Sequence, residues 1–245
     1  HGLDGWLPLH AAAALALDKA ALLLVLEAHS AVAATADADG KYAFQLLPSG
    51  ASDDAATLLV TACIAASGEG VLWRLLGHAA ATGVKPSAEA VRAAVEADPG
   101  AAARPFAMPA GWKPVEGALV RLRPGLGKKE AKYGDGVLRA GELATVTEVD
   151  RDGDLYLKRN GEERGYFKAA DLAHGFDGWL PLHAAAALAL DKEALLLVLE
   201  AHTAAAAATD AGGQYPFELP PSGASDDAAT LLVTACIAAS GEGVL

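Results

Sequence analysis

HGLDGWLPLHAAAALALDK, at residues 1–19, returns almost unchanged as HGFDGWLPLHAAAALALDK at residues 174–192. The match continues without a gap to Leu72 and Leu245 at a constant offset of 173 residues, and only 11 of the 72 paired positions differ. Self-similarity at a fixed period is the signature of repeat architectures. The second copy stops at GEGVL, where the first continues into WRLLGHAAATG, so we expect the chain to be part of a longer array of such units.

A shorter period of about 30–35 residues lies within residues 1–100. DGWLPLHAAAALA followed by DKAALLLVLEAHSAVAA has the pattern of a turn, a short helix, a link and a second helix. DGKYAFQLLPSG followed by SDDAATLLVTACIAAS repeats this scheme. Asp18, Ser52 and Ser87 precede apolar helical patterns and are predicted to be N-caps.

The periodicity changes to two after a proline-containing stretch at residues 101–114, which we interpret as a linker. ALVRLRPG, GELATVTEVD, DLYLKRNG and ERGYFKAADL alternate apolar with polar residues, which predicts four or five short antiparallel strands within residues 115–173. Asp152-Gly153 and Asn160-Gly161 are hairpin-turn signals between these strands. About sixty residues of short strands are typical of a small SH3-like barrel.

Two family resemblances follow from these motifs. D-G-x-L-P-L-H at residues 4–10 and 177–183 resembles the ankyrin motif, with Leu7 and Leu180 where that motif usually has threonine. VRLRPG, KYGDG, the VTEVD strand and the Asp-Gly-Asp turn at 152–154 are similar to the barrel repeats of Mind bomb-type and Keep-on-Going-type ubiquitin ligases. Ala144 departs from that second pattern, where glycine is expected. The resemblance implies a barrel that binds peptide segments.

The predicted fold class is therefore mainly α with a small all-β module, comprising an ankyrin-like helical-hairpin solenoid, an SH3-like barrel and a second helical solenoid. The expected domains are ankyrin-like repeats at 1–100, a linker at 101–114, the barrel at 115–173 and a truncated second set of ankyrin-like repeats at 174–245. A different helical-hairpin solenoid remains an alternative, because the ankyrin motif is specific only at the start of each copy.

Charge and hydropathy exclude several classes of partner. The net charge is −12, and residues 115–173 are neutral, so the excess acid lies on the helical parts. Such a surface repels a nucleic-acid backbone, so no nucleic-acid partner is expected. The apolar runs are shorter than the roughly 20 residues that span a bilayer, so no transmembrane segment is predicted. Cys63 and Cys236 occupy the same position of the two copies and are expected to be reduced and buried, which favours an intracellular protein.

No catalytic residue, metal site or cofactor is predicted. His10 and His183 fit the ankyrin-type turn, where histidine usually hydrogen-bonds its neighbours' backbone. The acidic run at 150–154 lacks the glycine and glutamate that a calcium-binding EF-hand loop needs, so it is interpreted as a turn.

Exposed aromatic residues are the candidate partner-binding sites, because such residues often dominate protein interfaces. Two of them follow Asp-Gly at the start of each copy, and the others lie in the predicted barrel. They are Trp6, Trp179, Tyr133, Tyr156, Tyr166 and Phe167.

The sequence predicts a non-enzymatic scaffold or linker that binds one protein partner or several copies of it, as a structural subunit of a larger assembly. Near-identical copies present one surface chemistry repeatedly, which favours multivalent binding. The alternative is the substrate-recognition arm of a multidomain ubiquitin ligase, which the barrel resemblance implies.

Overall fold

The computed structural model describes residues 6–28, 30–38, 41–48, 52–67, 70–82, 85–107, 112–159, 161–220 and 224–241. Its α-helices are α1 (Pro8–Ala14), α2 (Lys19–Ala28), α3 (Asp53–Ser67), α4 (Val71–Thr82), α5 (Ala88–Ala97), α6 (Pro181–Ala187), α7 (Lys192–Ala201) and α8 (Asp226–Ser240). Its strands are β1 (Leu119–Leu122), β2 (Lys128–Glu130), β3 (Val137–Arg139), β4 (Ala144–Val149), β5 (Asp154–Arg159), β6 (Glu162–Lys168) and β7 (Leu172–His174). Short 3-10 helices are Ser30–Ala34, Ala43–Leu46, Ala101–Ala103, Ala169–Asp171, Thr203–Ala207 and Pro216–Glu218.

The helices begin where the capping residues are. The side chain of Ser87 accepts a hydrogen bond from the backbone N–H of Ala90 at the start of α5. Asp18 accepts one from Ala21 at 2.8 Å, and its counterpart Asp191 accepts one from Ala194 at the same distance. Each of these bonds satisfies a backbone donor that the first helical turn leaves without a partner. The predicted caps at Asp18 and Ser87 are confirmed.

The two copies share one hydrophobic core. Helix α3 packs on α5, and α5 packs on α7, so the first copy passes directly into the second. Leu22, Leu59 and Val91 of the first copy belong to the same buried cluster as Leu182 and Leu195 of the second. The chain therefore buries both copies in a common helical body, on which the strands form a second layer with its own core.

The predicted fold class, two ankyrin-like solenoids separated by an SH3-like barrel, is wrong. An ankyrin repeat is a pair of α-helices, whereas the described residues 41–48 of DGKYAFQLLPSG form only the four-residue 3-10 helix Ala43–Leu46 beside the 15-residue α3. That segment is too short for an α-helix before its Pro-Ser-Gly end. Its second copy carries two further prolines, at 216 and 220, which restrict a helix still more. The shared core also leaves no pair of separate solenoids.

The strands form a five-stranded antiparallel sheet in the order β6-β5-β4-β1-β7 and a two-stranded sheet of β2 and β3. Strands β4 and β5 are joined by a hairpin in which Gly153 has a φ of 81°, a left-handed conformation that glycine adopts without strain. In the described residues β6 and β7 are the two ends of the larger sheet, so two separate sheets stand in place of the predicted SH3-like barrel.

Residues 119–174, here called the β module, have a small core and one face against the helices. The core holds Val120, Leu122, Leu138, Ala144, Val146, Leu155, Leu157, Phe167 and Leu172. Leu119 and Leu143 instead pack against the helical core, which attaches the β module to the helical body. The module therefore presents one side to the helices and leaves another side exposed.

Candidate protein-binding surface

Three tyrosines of the β module come together on its surface. Tyr156 on β5 and Tyr166 on β6 are directly opposite each other in the register of the sheet, with ring centroids 4.8 Å apart. Tyr133 joins them through an isolated bridge to Tyr166, and their rings lie 6.5 Å apart. Both pairs have the edge-to-face arrangement that aromatic rings prefer. We call Tyr133, Tyr156 and Tyr166 the tyrosine face.

A glycine makes this arrangement possible. Gly165 has a φ of 87°, and a Cβ atom there would lie 2.3 Å from the carbonyl oxygen of Tyr133. Only glycine therefore allows the segment around Tyr133 to approach strand β6 closely enough for two backbone hydrogen bonds. These run from Lys132 N to Tyr166 O at 2.7 Å and from Tyr166 N to Tyr133 O at 3.2 Å.

Carboxylates hold the tyrosine hydroxyls in place. The hydroxyl of Tyr156 donates to Glu163 Oε2 at 2.7 Å, and the hydroxyl of Tyr166 donates to Glu148 Oε1 at 2.9 Å. These hydrogen bonds are the main cause that raises the pKa of both phenols, with burial and nearby negative charge adding to it. Both phenols therefore stay protonated, and their rings are fixed by contacts at both edges.

Lys132 lies beside Tyr133 at the edge of the tyrosine face. Lys132 Nζ lies 2.6 Å from Asp154 Oδ2 and 5.1 Å from the centre of the Tyr133 ring. The hydrogen bond with Asp154 is the largest cause that raises the pKa of Lys132. Tyr133 itself is 61% exposed, so its ring is available to a partner.

Adjacent acidic side chains give the tyrosine face a preference for positive charge. Glu148 and Glu163 lie at its rim, and Asp150 is close enough to influence Tyr166. Exposed aromatic rings attract cations through their faces, and carboxylates attract them through charge. The rings and the carboxylate of Glu148 are thus groups that favour a cation, and Glu163 already pairs with Lys158 at 3.7 Å.

The other predicted site residues lie elsewhere. Phe167 is buried in the core of the β module, on the opposite side of β6 from Tyr166. Trp6 is half-buried at the start of the first copy. Trp179, its counterpart, is 0% exposed and lies between the helices and the β module. The structure thus brings together only the three tyrosines among the six predicted residues.

Trp179 belongs to a buried polar cluster that the sequence did not reveal. Its indole N–H donates to Asp210 Oδ2 at 2.8 Å, and the guanidinium carbon of Arg121 lies 5.1 Å from the centre of its ring. Arg121 donates to the carbonyl oxygen of Asp177 at 2.7 Å, and its Nη1 is 3.9 Å from Asp210 Oδ2. Burial is the main cause that lowers the pKa of Arg121, against the opposing effect of both aspartates.

The acidic run at 150–154 is a turn. Asp150 Oδ1 accepts hydrogen bonds from the backbone N–H groups of Asp152 and Asp154 at 2.9 and 2.8 Å. Across the described residues, no group of three or more His, Cys, Asp or Glu side chains is arranged to hold a metal ion. No helix in the described part of the chain is long and apolar enough to cross a bilayer.

A cleft of about 610 Å³ separates the β module from the helical body. Lys85, Arg139 and Lys158 line it, and Arg159 there pairs with Glu142 at 3.0 Å. The lining is polar and mixed in charge, and we assign no ligand to it.

Comparison with protein-family models, with curated proteins and with solved structures finds no match for this chain.

Proposed function

We propose that this chain is a non-enzymatic repeat protein that binds protein partners through the tyrosine face, as a structural component of a larger assembly. The observation that carries the proposal is the clustering of Tyr133, Tyr156 and Tyr166 at the surface of the β module, where Tyr133 is exposed and the other two rings are half-buried. Tyrosine is enriched at the energetically dominant positions of protein interfaces because its ring is large and rigid and its hydroxyl is polar.

The chemistry of the partner follows from the rim of this surface. Glu148 and Glu163 make the surroundings of the rings acidic. The expected ligand is an extended peptide segment in which lysine or arginine alternates with apolar residues, so that the cations meet the rings and the carboxylates. The tyrosine face occurs once in residues 1–245, and each further complete 173-residue unit would add one such face and increase the overall affinity through multivalent attachment.

The test is partner capture by the full chain, compared with a variant of its most exposed tyrosine. Tyr133→Ser removes a ring from the binding surface without opening the core, because this side chain is already 61% exposed. We expect it to weaken binding of captured partners, and of an Arg-containing peptide from them, by about tenfold or more. Val149→Ser, at another exposed apolar position of the β module, is the matched control and should bind normally. Equal binding by the wild type and Tyr133→Ser would contradict the proposal.

A further inference from the structure

The same residues are exposed in the first copy and covered in the second. Leu17 is 37% exposed, whereas its counterpart Leu190 is 2% exposed. Trp6 is half-buried and Trp179 fully buried. The sequences of residues 4–19 and 177–192 are identical. The difference in exposure must therefore come from what packs against each copy.

The exposed side chains of this surface are apolar and lie in the first helices of the first copy and the segment that precedes them. We call it the first-copy face, and it consists of Trp6, Pro8, Leu15, Leu17 and Leu24. Leu15 is 73% exposed, which is unusual for a large apolar side chain beside a helical core. Exposed apolar patches of this kind mark interaction surfaces.

The second copy shows what covers the equivalent surface there. Helix α4 packs on α6, and both α5 and the 3-10 helix Ala101–Ala103 pack on α7. The backbone N–H of Phe106 donates to the carbonyl oxygen of Trp179 at 2.8 Å.

Two cations of the covering segment add polar contacts. Lys85 donates to the carbonyl oxygen of Ala189, and Arg121 lies over Trp179 beside Asp210. All these covering groups belong to residues 71–173, the end of the preceding unit.

The first copy already has the backbone that receives these contacts. Ala16 and Ala189 are in the same left-handed conformation, with φ values of 51° and 49°. Asp37 accepts a hydrogen bond from Lys41 N at 2.8 Å, as Asp210 accepts one from Gln214 N at 2.9 Å. The acceptors for the lysine and the arginine are therefore preformed at the carbonyl of Ala16 and at Asp37.

We propose that the first-copy face is a docking surface for a segment with the sequence of residues 71–173, that is, for the end of another copy of the repeat unit. The apolar side chains of the face take the place that Trp179 and Leu190 have in the second copy. The lysine and the arginine of the docked segment reach Ala16 and Asp37, which gives charge complementarity with the acidic helical body. One contact of the second copy would be missing at the first-copy face. Arg92 pairs with Glu193 in the second copy, and the first copy has Ala20 at the position of Glu193.

The experiment extends the full chain by one segment. Residues 71–173 are added ahead of His1, which keeps the register of the 173-residue repeat. Leu17→Cys then reports on the face through its rate of labelling by a thiol reagent, since Cys63 and Cys236 are buried. We expect labelling at least about tenfold slower in the extended chain than in the 245-residue chain, because a covered thiol reacts only when the docked segment opens.

Two controls make the result specific. Val149→Cys, exposed on the β module, should label equally fast in both chains. Replacing the arginine that corresponds to Arg121 in the added segment by Ala should restore much of the fast labelling at Leu17→Cys. Equal labelling of Leu17→Cys in both chains would overturn the proposal. So would protection in the 245-residue chain that grows with concentration alongside a dimeric mass, because a second first-copy face would then be the occupant.

Discussion

Residues 6–67 and 179–240 form matching elements from almost the same sequence, yet they are covered on different sides. Helices α4 and α5 pack on α3 at the end of the first copy, and the same two helices pack on α6 and α7 at the start of the second. Both begin a short helix at a Leu-Pro pair, both turn at an alanine with positive φ, and both end in a 15-residue helix. The difference lies in Trp6 and Trp179, which have the same neighbours in sequence and different neighbours in space. Local sequence therefore determines the elements here, and the position of a copy in the chain determines its burial.

The largest expected effect is the contrast between the two tryptophans. Trp179→Ala should lower the free energy of unfolding by about 3–5 kcal/mol, since it opens a cavity and leaves Asp210 without its indole donor. Trp6→Ala should cost about 1 kcal/mol, because its side chain is only half-buried. Denaturant unfolding of both variants measures the difference. Equal losses would show that the two copies are in fact equally packed.

The next largest effect should come from Arg121, a cation of the β module that contacts Trp179 and Asp210 of the second copy. Arg121→Met should cost about 3 kcal/mol by leaving Asp210 charged and buried. Arg123, two residues further along the chain and exposed, is the matched control, and Arg123→Met should change stability by less than about 0.5 kcal/mol.

A double-mutant cycle that combines Arg121→Met with Asp210→Asn measures the interaction free energy between Arg121 and Asp210. A coupling of about 1–2 kcal/mol is expected. A coupling near zero would show that Arg121 acts by packing on Trp179 alone.

The stability of the second copy should depend on pH through the buried side chain of His183. Burial is the main cause that lowers the pKa of His183 below 6.5, against weaker opposing effects from Asp210 and nearby backbone. The unfolded chain therefore binds a proton at His183 before the folded chain does as the pH falls. The free energy of unfolding contributed by the neutral ring is present above about pH 6.5 and is lost as the pH falls toward the folded-state pKa.

His183→Gln should flatten the stability profile below pH 6.5, measured by denaturant unfolding between pH 7.5 and 5.5, conditions chosen around the histidine range. His174 also has a pKa lowered mainly by burial, so part of the slope should remain in this variant. Parallel profiles for the wild type and His183→Gln would count against a neutral buried ring.

The smallest effect should be the same in both copies. Ala16→Gly and Ala189→Gly each relieve a left-handed backbone conformation that costs an alanine roughly 1 kcal/mol. Each is expected to raise the free energy of unfolding by about 0.5 kcal/mol after the greater chain entropy of glycine is subtracted. Unequal gains in thermal or denaturant unfolding would mean that neighbouring elements, and not the local backbone, set this strain.

Local chemistry was predictable from the sequence, and long-range packing was not. Asp18 and Ser87 cap helices as expected, because a cap depends on residues three positions apart. The prolines at 216 and 220 in the second copy indicate that this segment cannot be a long regular helix, which does not fit the paired helices of the ankyrin interpretation. The repeat pattern described hairpins, but it gave no information on whether the two copies share one core.

The candidate site was partly predictable for a similar reason. Tyr166 and Phe167 are neighbours on one strand, so alternation places them on opposite faces, and only one could belong to an exposed groove. The pairing of Tyr156 with Tyr166 depends on the register of β5 and β6, which a bulge between Leu157 and Lys158 shifts. Arg121 gave no signal of its burial, because alternation assigns it the same face as the exposed Arg123.

The neighbouring positions of β1 and β7 have a mechanical consequence. Val120 pairs with His174 and Leu122 with Leu172, so the chain enters and leaves the β module at one end of an antiparallel strand pair. Tension applied along the chain would first load the contacts of α4 and α5 with α6 and α7, because these contacts bridge the two ends of the β module. The β module is therefore shielded from tension while the helical body stays folded, and its interstrand hydrogen bonds would break one after another only after those helices separate.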